Sequence, residues 1–303
     1  MEKSTKNHNK TYLIGIDGGG TKTKLIITND KGNILSHTIT GPSNIVRSTD
    51  QAWSSIKKGI EILIKDCDIN INESEIKLGL GLAGAEYDKI KAEFLKQKDK
   101  HIPYINNITL KSDAHAACLG IHKGEPGAII IVGTGTQGYQ VEQDYTKTRI
   151  ACWGSPVDDQ GGGSWIGLEA IRHTFKCIDG REKHGFMSNL IFSEFNNNID
   201  EFVIWANQAS TSEYASLTKK VIKAATHKDP AAIDLLKRSA KEIELIITTL
   251  KNKQKSKKPY PLSVIGGMSQ FIIPYLSKKI SDRIIKRHNP HDICEGAILI
   301  IKN

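Results

Sequence analysis

Cysteine is scarce and scattered: Cys67, Cys118, Cys152, Cys177 and Cys294 make an odd set with no C-x-x-C pair in 303 residues. That excludes a disulfide framework and gives no metal or redox spacing, so the thiols read as small buried hydrophobes. Long apolar runs are missing too; Ala128–Val132 is strand-length, well short of the ~20 residues a membrane helix needs. The stretch Met1–Lys10 is polar and lacks the apolar core of a signal peptide, so a cytoplasmic protein without membrane contact is expected. Aromatics are only 6% of the chain, and none interleaves with the densest cationic cluster, Lys251, Lys253, Lys255, Lys257 and Lys258. The net charge of +9 therefore reads as dispersed lysine with one solvated loop, and not as a nucleic-acid surface. No G-x-x-x-x-G-K-[ST] occurs, which removes a P-loop. The one dinucleotide-like glycine spacing, within Gly15–Gly20, leads into a strand and not a helix, which removes a Rossmann site.

What is present has a regular order. At ~100–200 residues per domain the length suggests two domains, and with no low-complexity linker the boundary is expected near residues 114–127. Apolar Tyr12–Ile16 runs into Asp17-Gly18-Gly19-Gly20-Thr21-Lys22-Thr23, and strands over Leu25–Thr28 and Ile34–Ile39 follow, a β-meander start. Ala52, Ile56, Ile60, Leu63 and Ile64 then recur at helical spacing, predicting a helix over Asp50–Asp66. A buried strand is predicted at Ile76–Leu82, a helix over Glu86–Lys98, a strand at Ile108–Leu110 and a close-packed helix over Ala114–His122. The opening theme then returns: strand Gly127–Val132, turn Gly133-Thr134-Gly135-Thr136 and strand Gly138–Glu142, with Gly133 lying 115 residues after Gly18. Internal duplication is the economical reading. Further on, helices are predicted over Trp165–Thr174 and Pro230–Thr249, the latter with Ala231, Ala232, Leu235, Leu236, Ile243, Leu245 and Ile246 as its stripe. Strand Leu262–Ile265 precedes Gly266-Gly267-Met268-Ser269, and a last helix is expected after Pro290.

Three glycine-rich turns thus follow three apolar strands. Each frees backbone N–H groups from β-carbons, which a phosphate requires, and points to a nucleotide held between two halves. Asp17, ahead of the first turn, would repel phosphates unless a cation lay between, and one or two carboxylates with phosphate oxygens suit Mg²⁺. Its plain alternative is an Asx-type residue capping the turn. Asp113, between a strand and a helix, reads equally as an N-cap or as a base that orients a hydroxyl and receives its proton late in phosphoryl transfer. The stretch Cys152–Trp165 sets turn formers, two tryptophans and two carboxylates before a helix; it reads as a sugar-contacting loop or as a capping loop. His115, His122 and His291 lack ligand spacing.

Taken together these residues resemble the sugar-kinase branch of the actin/hexokinase-type ATPases and, within it, the amino-sugar kinases of the BadF/BadG/BcrA/BcrD group. Asp17–Thr23 and Gly133–Thr136 are similar to the two phosphate motifs and Leu262–Gly267 to the adenosine motif. Pro42-Ser43-Asn44 resembles a sugar-contacting segment, Ser112-Asp113-Ala114 the catalytic segment, and Asp159-Gln160-Gly161-Gly162-Gly163 a second sugar loop. Leu82-Ala83-Gly84-Ala85-Glu86, Ala117-Cys118-Leu119-Gly120 and Glu295-Gly296-Ala297 extend the likeness nearly end to end.

The resemblance implies an α/β fold of two ribonuclease-H-like lobes with a nucleotide cleft between them. Residues 1–117 would form the N-terminal lobe, with helix 291–303 packing back on it, and 118–290 the C-terminal lobe. It implies MgATP-dependent phosphorylation of the 6-hydroxyl of D-glucosamine or N-acetyl-D-glucosamine, and a homodimer. Asp113 would be the base; Asn44, Asp113, Trp153, Gly154 and Asp159 would meet the sugar. Gly18, Gly19, Gly20, Thr21, Lys22, Thr134, Gly135, Thr136, Gly266 and Gly267 would bind ATP, with Asp17 organising Mg²⁺ through water. Trp153-Gly154 is closer to N-acetylglucosamine kinases, while Val157–Gly161 and 199–249 are closer to glucosamine kinases, so both acceptors stay open. Two alternatives compete. A dehydratase activator with an iron–sulfur cluster would need cluster cysteines, for which Cys118 and Cys152 are the candidates. The other is a non-catalytic sugar sensor: as a DNA-binding regulator it would be expected to carry a helix-turn-helix, for which the eleven residues before Tyr12 read as too few, and as a protein that binds sugar without turnover it is opposed by Asp17, Asp113 and both phosphate turns.

Overall fold

The computed structural model describes residues 10–285, 289 and 291–302. The polar stretch before Lys10 and Pro290, expected just ahead of the last helix, lie outside them. The element order is β1 (Lys10–Gly18), β2 (Thr23–Asn29), β3 (Ile34–Thr40), α1 (Thr49–Asp66), β4 (Ser74–Leu82), α2 (Asp88–Lys96), α3 (Lys98–His101), β5 (Asn107–Ser112) and α4 (Asp113–Ile121). Then come β6 (Gly127–Val132), β7 (Thr136–Val141), β8 (Lys147–Ala151), α5 (Gly163–Ile178), α6 (Phe186–Phe192), α7 (Ile199–Gln208), α8 (Thr211–Ser216), α9 (Thr218–Thr226) and α10 (Pro230–Lys253). The chain closes with β9 (Leu262–Ile265), α11 (Ser269–Ile272), α12 (Lys278–Ser281) and α13 (Asp292–Lys302).

Two compact units result. The first runs to Gly127 and adds Gln143–Tyr145 and the segment containing α13; the second holds Ala128–Glu142 and the chain from Thr146. α4 lies whole in the first unit, so the expected break at 117/118, which would cut this helix, is not where the chain divides.

In the first unit five strands take the order β3-β2-β1-β4-β5. β1, β2 and β3 form the expected antiparallel meander, while β4 runs parallel to β1 and β5 parallel to β4. The central strands are apolar on both faces because both are covered: Leu13, Ile14, Ile16, Leu78 and Leu80 are all buried. α1 begins one residue before the predicted start, capped by Ser48, whose hydroxyl accepts from the Gln51 amide. The helix predicted over Glu86–Lys98 starts later, at Asp88, and stops at Lys96; the Gln97 amide turns back to the Phe94 carbonyl (3.2 Å) in a tightened last turn.

α13 lies against β1, β4 and α4 at backbone distance. A β-carbon on Gly15 would sit 2.0 Å from the Cys294 carbonyl oxygen, and one on Gly79 1.8 Å from that of Ala297. Gly15 and Gly79 are register partners on adjacent strands, so the two glycines make one trough.

The second unit repeats the plan with one strand fewer, in the order β8-β7-β6-β9. Read across the sheet, its four strands occupy the positions of β3, β2, β1 and β4, the arrangement expected of a duplicated unit. β8 gave no sequence signal: Lys-Thr-Arg-Ile-Ala is a half-exposed edge strand with little alternation. α10 starts where predicted, with Asp229 capping Ala232 and Pro230 in the first turn. It runs on to Lys253, so Lys251 and Lys253 belong to its last turn, where cations suit the helix dipole, and the lysine loop shrinks accordingly. Leu245, assigned to the buried stripe, is 63% exposed because it lies about 200° round the helix from Ile243. Ile246 is buried as expected, and Ile247 and Leu250 continue the stripe.

Candidate active site

In the first unit the chemistry gathers at the carboxyl ends of three parallel strands, the usual ligand edge of an open α/β sheet. Register places Asp17 beside Gly81, and Leu82 beside both Gly18 and Ser112, so Asp17 and Asp113 come off the ends of β1 and β5, with β4 between them. The first turn is closed by the Gly19 amide donating to the Lys22 carbonyl (3.1 Å), and not by the Asp17 side chain, so the Asx-cap reading of Asp17 is set aside. Thr21 and Lys22 are exposed at its tip. Gly18 must be glycine, since a β-carbon would lie 2.2 Å from Ser43 Oγ. The segment holding Asn44 is fastened beneath this turn: the Ser43 amide donates to the Gly19 carbonyl (2.9 Å) and the Thr23 hydroxyl to Ser43 Oγ (2.7 Å). Asn44 Oδ1 accepts from the amides of Val46 and Arg47, leaving its NH₂ as the group to offer a ligand.

Asp113 is not the cap of α4. Ser112 is, accepting the His115 amide (3.3 Å), and Asp113 is the first helical residue. Its Oδ1 accepts the Ala114 amide (2.9 Å), which fixes the carboxylate and leaves Oδ2 as the other acceptor. Gly81 lets α4 come this close; a β-carbon there would meet Ala116 Cβ at 2.5 Å. Burial pushes the Asp113 carboxyl up to about 6, against the Ala114 amide, with Asp17 and Glu86 adding like-charge repulsion. Asp17 is also raised, by burial, with Lys24 and Lys22 opposing. A base that ionises near neutrality, beside a second carboxylate, is suited to accept a hydroxyl proton.

In the second unit Gly133–Thr136, Asp159–Ser164 and Gly266–Met268 form one substructure around the ends of β6 and β9. The Gly163 amide donates to the Gly133 carbonyl (2.8 Å), the Ser164 amide to that of Thr134 (2.8 Å) and the Met268 amide to that of Val132 (3.0 Å). Asp159 is buried, and its Oδ1 accepts the Thr136 amide (3.3 Å) while the carboxylate lies over Gly135, where a β-carbon would be 2.6 Å from Oδ2. Burial raises this carboxyl, and the Thr136 amide opposes. Gly266 needs its positive φ of +99° and its missing β-carbon, which would fall 2.4 Å from the Val132 carbonyl. Trp153 and Gly154 are tied to Asp158, the residue before Asp159: the Trp153 amide donates to Asp158 Oδ2 (2.9 Å) and the Asp158 amide to the Gly154 carbonyl (2.9 Å), while Trp153 is 73% exposed, with the Arg149 guanidinium 4.4 Å from its ring centre.

Several residues at these edges gave no local signal. Arg47 lies beside Gly20, its Nη1 3.7 Å from where a β-carbon would be. Glu86 accepts the Ser112 hydroxyl. Thr136 Oγ1, in a turn the sequence had already singled out, and Ser164 Oγ, which it had not, are buried with no hydrogen-bond partner in the protein. Cys118 is fully buried with its thiol on the Gly127 carbonyl (3.2 Å), a poor cluster ligand. Among the described residues no group of three or more His, Cys, Asp and Glu could cage a metal. Asp17 fits Mg²⁺ only in the manner of nucleotide enzymes, one carboxylate with the phosphates supplying the rest. No helix among the described residues is long and apolar enough to cross a membrane.

Two meander-plus-parallel units, each with a glycine turn after its first strand, define the class: a two-lobed phosphotransferase fold of the actin/hexokinase type. The sequence profile of the BadF/BadG/BcrA/BcrD ATPase family matches residues 14–300, and the chain belongs to that family. ATP is thus its nucleotide. It is 31% identical over 289 residues to the glucosamine kinase GspK of Vibrio cholerae, covering 95% of both chains. It is 29% identical over 242 residues to an N-acetylmuramic acid/N-acetylglucosamine kinase of Clostridium acetobutylicum, covering 78% of each. Among solved structures, a candidate N-acetylglucosamine kinase from Chromobacterium violaceum superposes with a TM-score of 0.82 at 26% identity, over 96% of this chain and 98% of that one.

Proposed function

We propose that this protein transfers the γ-phosphoryl group of ATP to the 6-hydroxyl of an amino sugar, glucosamine or N-acetylglucosamine. The observation that carries the reading is Asp113, a half-buried, desolvated carboxylate ionising at about 6 on the ligand edge of the sheet, across the end of β4 from Asp17. Asp113 accepts the proton of the 6-hydroxyl as the O6–Pγ bond forms and the bond from Pγ to the β-phosphate oxygen breaks, leaving ADP. The transition state is loose, so the carboxylate chiefly aims the hydroxyl and takes its proton late. Asn44 offers its NH₂ to the sugar, and Asp159, Trp153 and Gly154 are its further contacts. The Gly18–Lys22 and Thr134–Thr136 turns hold phosphates, and Gly266 and Gly267 admit the adenosine. Mg²⁺ would be held by Asp17 through water and would neutralise phosphate charge. Names of relatives support this acceptor class, glucosamine in one case and N-acetylated sugars in another.

The test is ADP release with MgATP across glucosamine, N-acetylglucosamine, N-acetylmannosamine, glucose and no sugar. Turnover confined to one amino sugar is expected, and it would name the 2-substituent. ADP release independent of sugar would replace this reading with a dehydratase activator or another ATPase, and its complete absence with a sensor.

Gly267 tests the adenosine contact separately. A β-carbon there meets nothing within 4 Å and φ is not positive, so Gly267→Ala should leave the melting temperature unchanged. It should raise KM for ATP by roughly tenfold, what ~1.4 kcal/mol of lost contact is worth. An unchanged KM would move adenosine away from this turn.

A further inference from the structure

Among the motifs in the sequence, Leu82–Glu86 is one that the proposed chemistry leaves without a task. Its path is tightly specified. The Ala83 amide donates to the Gly18 carbonyl (2.8 Å), the Ala85 amide turns back to Leu82 (3.2 Å) and the Tyr87 amide to Gly84 (3.3 Å). Gly84 takes a φ of +94° against Val46, so the segment doubles over at the strand end. This brings Glu86 to the end of β5, where its Oε1 accepts the hydroxyl of Ser112. The same hydroxyl oxygen accepts the His115 amide and caps α4.

A carboxylate, a hydroxyl and a helix amide therefore form a chain around Asp113, the residue next to the capped one. A hydroxyl that donates to an anion is a stronger and better-aimed acceptor, so the carboxylate sets the rotamer of the cap. The other charges facing Asp113 come from β1: Asp17, itself flanked by Lys22 and Lys24, with the Cys294 thiol of α13 beside it. His115, one turn into α4, is buried on the same helix. Among the described residues Glu86 is thus the carboxylate found both near Asp113 and tied by a hydrogen bond to the turn that bears it.

We propose that Glu86 is a positioning residue for Asp113: through Ser112 it fixes the first turn of α4, and its charge acts on the Asp113 carboxylate from the β4–α2 loop. It touches neither sugar nor nucleotide in this role. The inference rests on Asp113 being the base.

The experiment is kcat against pH from about pH 5 to 9, on the amino sugar that the wild type turns over, with sugar KM measured alongside. In the wild type the acidic limb should centre near the Asp113 value of about 6. Glu86→Gln keeps an acceptor for the Ser112 hydroxyl and removes only the charge. Its limb should move to lower pH, by roughly half a pH unit for one charge at partly solvated distance. Its plateau kcat should fall several-fold, as a weaker base predicts, with sugar KM unchanged. Ser112→Ala keeps the charge and cuts the tether; kcat should fall while the limb stays in place. Glu86→Asp serves if Glu86→Gln does not fold: it retains the charge with a shorter reach, and should leave the limb in place with kcat reduced. A Glu86→Gln limb coincident with the wild type, or shifted upward, overturns the proposal while the kinase reading stands. A wild type that turns over no sugar, or whose turnover has no acidic limb, overturns the base assignment and this inference with it.

Discussion

Asp113→Asn should lower kcat by ~10²–10⁴, the range that general acid–base catalysis supplies, while the Kd values for MgATP and sugar stay near wild type. Asparagine is nearly isosteric and keeps an Oδ1 for the Ala114 amide, so the side chain stays where it is. What it lacks is a lone pair able to take the 6-hydroxyl proton near neutral pH. Stability separates this loss from misfolding, and its sign can be worked out. The folded carboxyl lies at about 6, above its ordinary 3.8. The group's favourable contribution is complete below the ordinary value and is lost as pH rises through about 6. Asparagine has no such loss, so the melting temperature of Asp113→Asn should equal or exceed the wild type's, by a wider margin near pH 8 than near pH 4. Isothermal titration with both ligands, turnover assays and two melting curves check it. Near-normal turnover would remove Asp113 as the base; a melting temperature well below wild type at pH 8 would mean that the carboxylate serves the fold.

How far this edge was legible in the sequence depended on the range of the interactions that build it. The glycine turns after apolar strands were readable because both signals are local: buried strands need unbroken apolar residues, and close phosphate approach needs absent β-carbons. Asp17 and Asp113 could be picked out from their places beside those turns. That Ser112 and not Asp113 caps α4 was within one residue of legible, yet serine and aspartate cap equally well and only coordinates separate them. The partners of Glu86 and Asp159 were opaque, since Ser112 and Thr136 lie 26 and 23 residues away. Nothing local records such a pairing. The stretch over α6 to α9 read as helical but without boundaries, because short helices with exposed Ile199, Val203 and Ile204 blur the helical period. β8 failed for the opposite reason, an edge strand too polar and short to alternate.

Gly79→Ala should be among the most damaging single methyl groups that the first unit can receive. The added β-carbon would lie 1.8 Å from the Ala297 carbonyl oxygen and 2.6 Å from its carbon. Both are backbone atoms, so no rotamer change relieves the clash. Either β4 shifts, breaking register with β1 on one side and β5 on the other, or α13 lifts. Lifting is opposed by three other contacts of the same kind. Gly15 faces the Cys294 carbonyl, a β-carbon on Gly120 would be 1.7 Å from that of Asp292, and one on Gly296 1.9 Å from that of Ala116. It would also expose Cys294, Ala297, Ile298 and Ile300, all buried. Overpacking costs typically 1–3 kcal/mol where side chains can yield; against backbone on both sides, about 3 kcal/mol or more is expected. The urea midpoint should fall steeply, with Gly267→Ala as a control that adds the same methyl to open space. Activity should fall with the fold, since α13 braces β1, which carries Asp17, and α4, which carries Asp113. A Gly79→Ala protein with the wild-type urea midpoint would mean that the helix can ride up over the strands without loss, and that the two carboxylates keep their places without it.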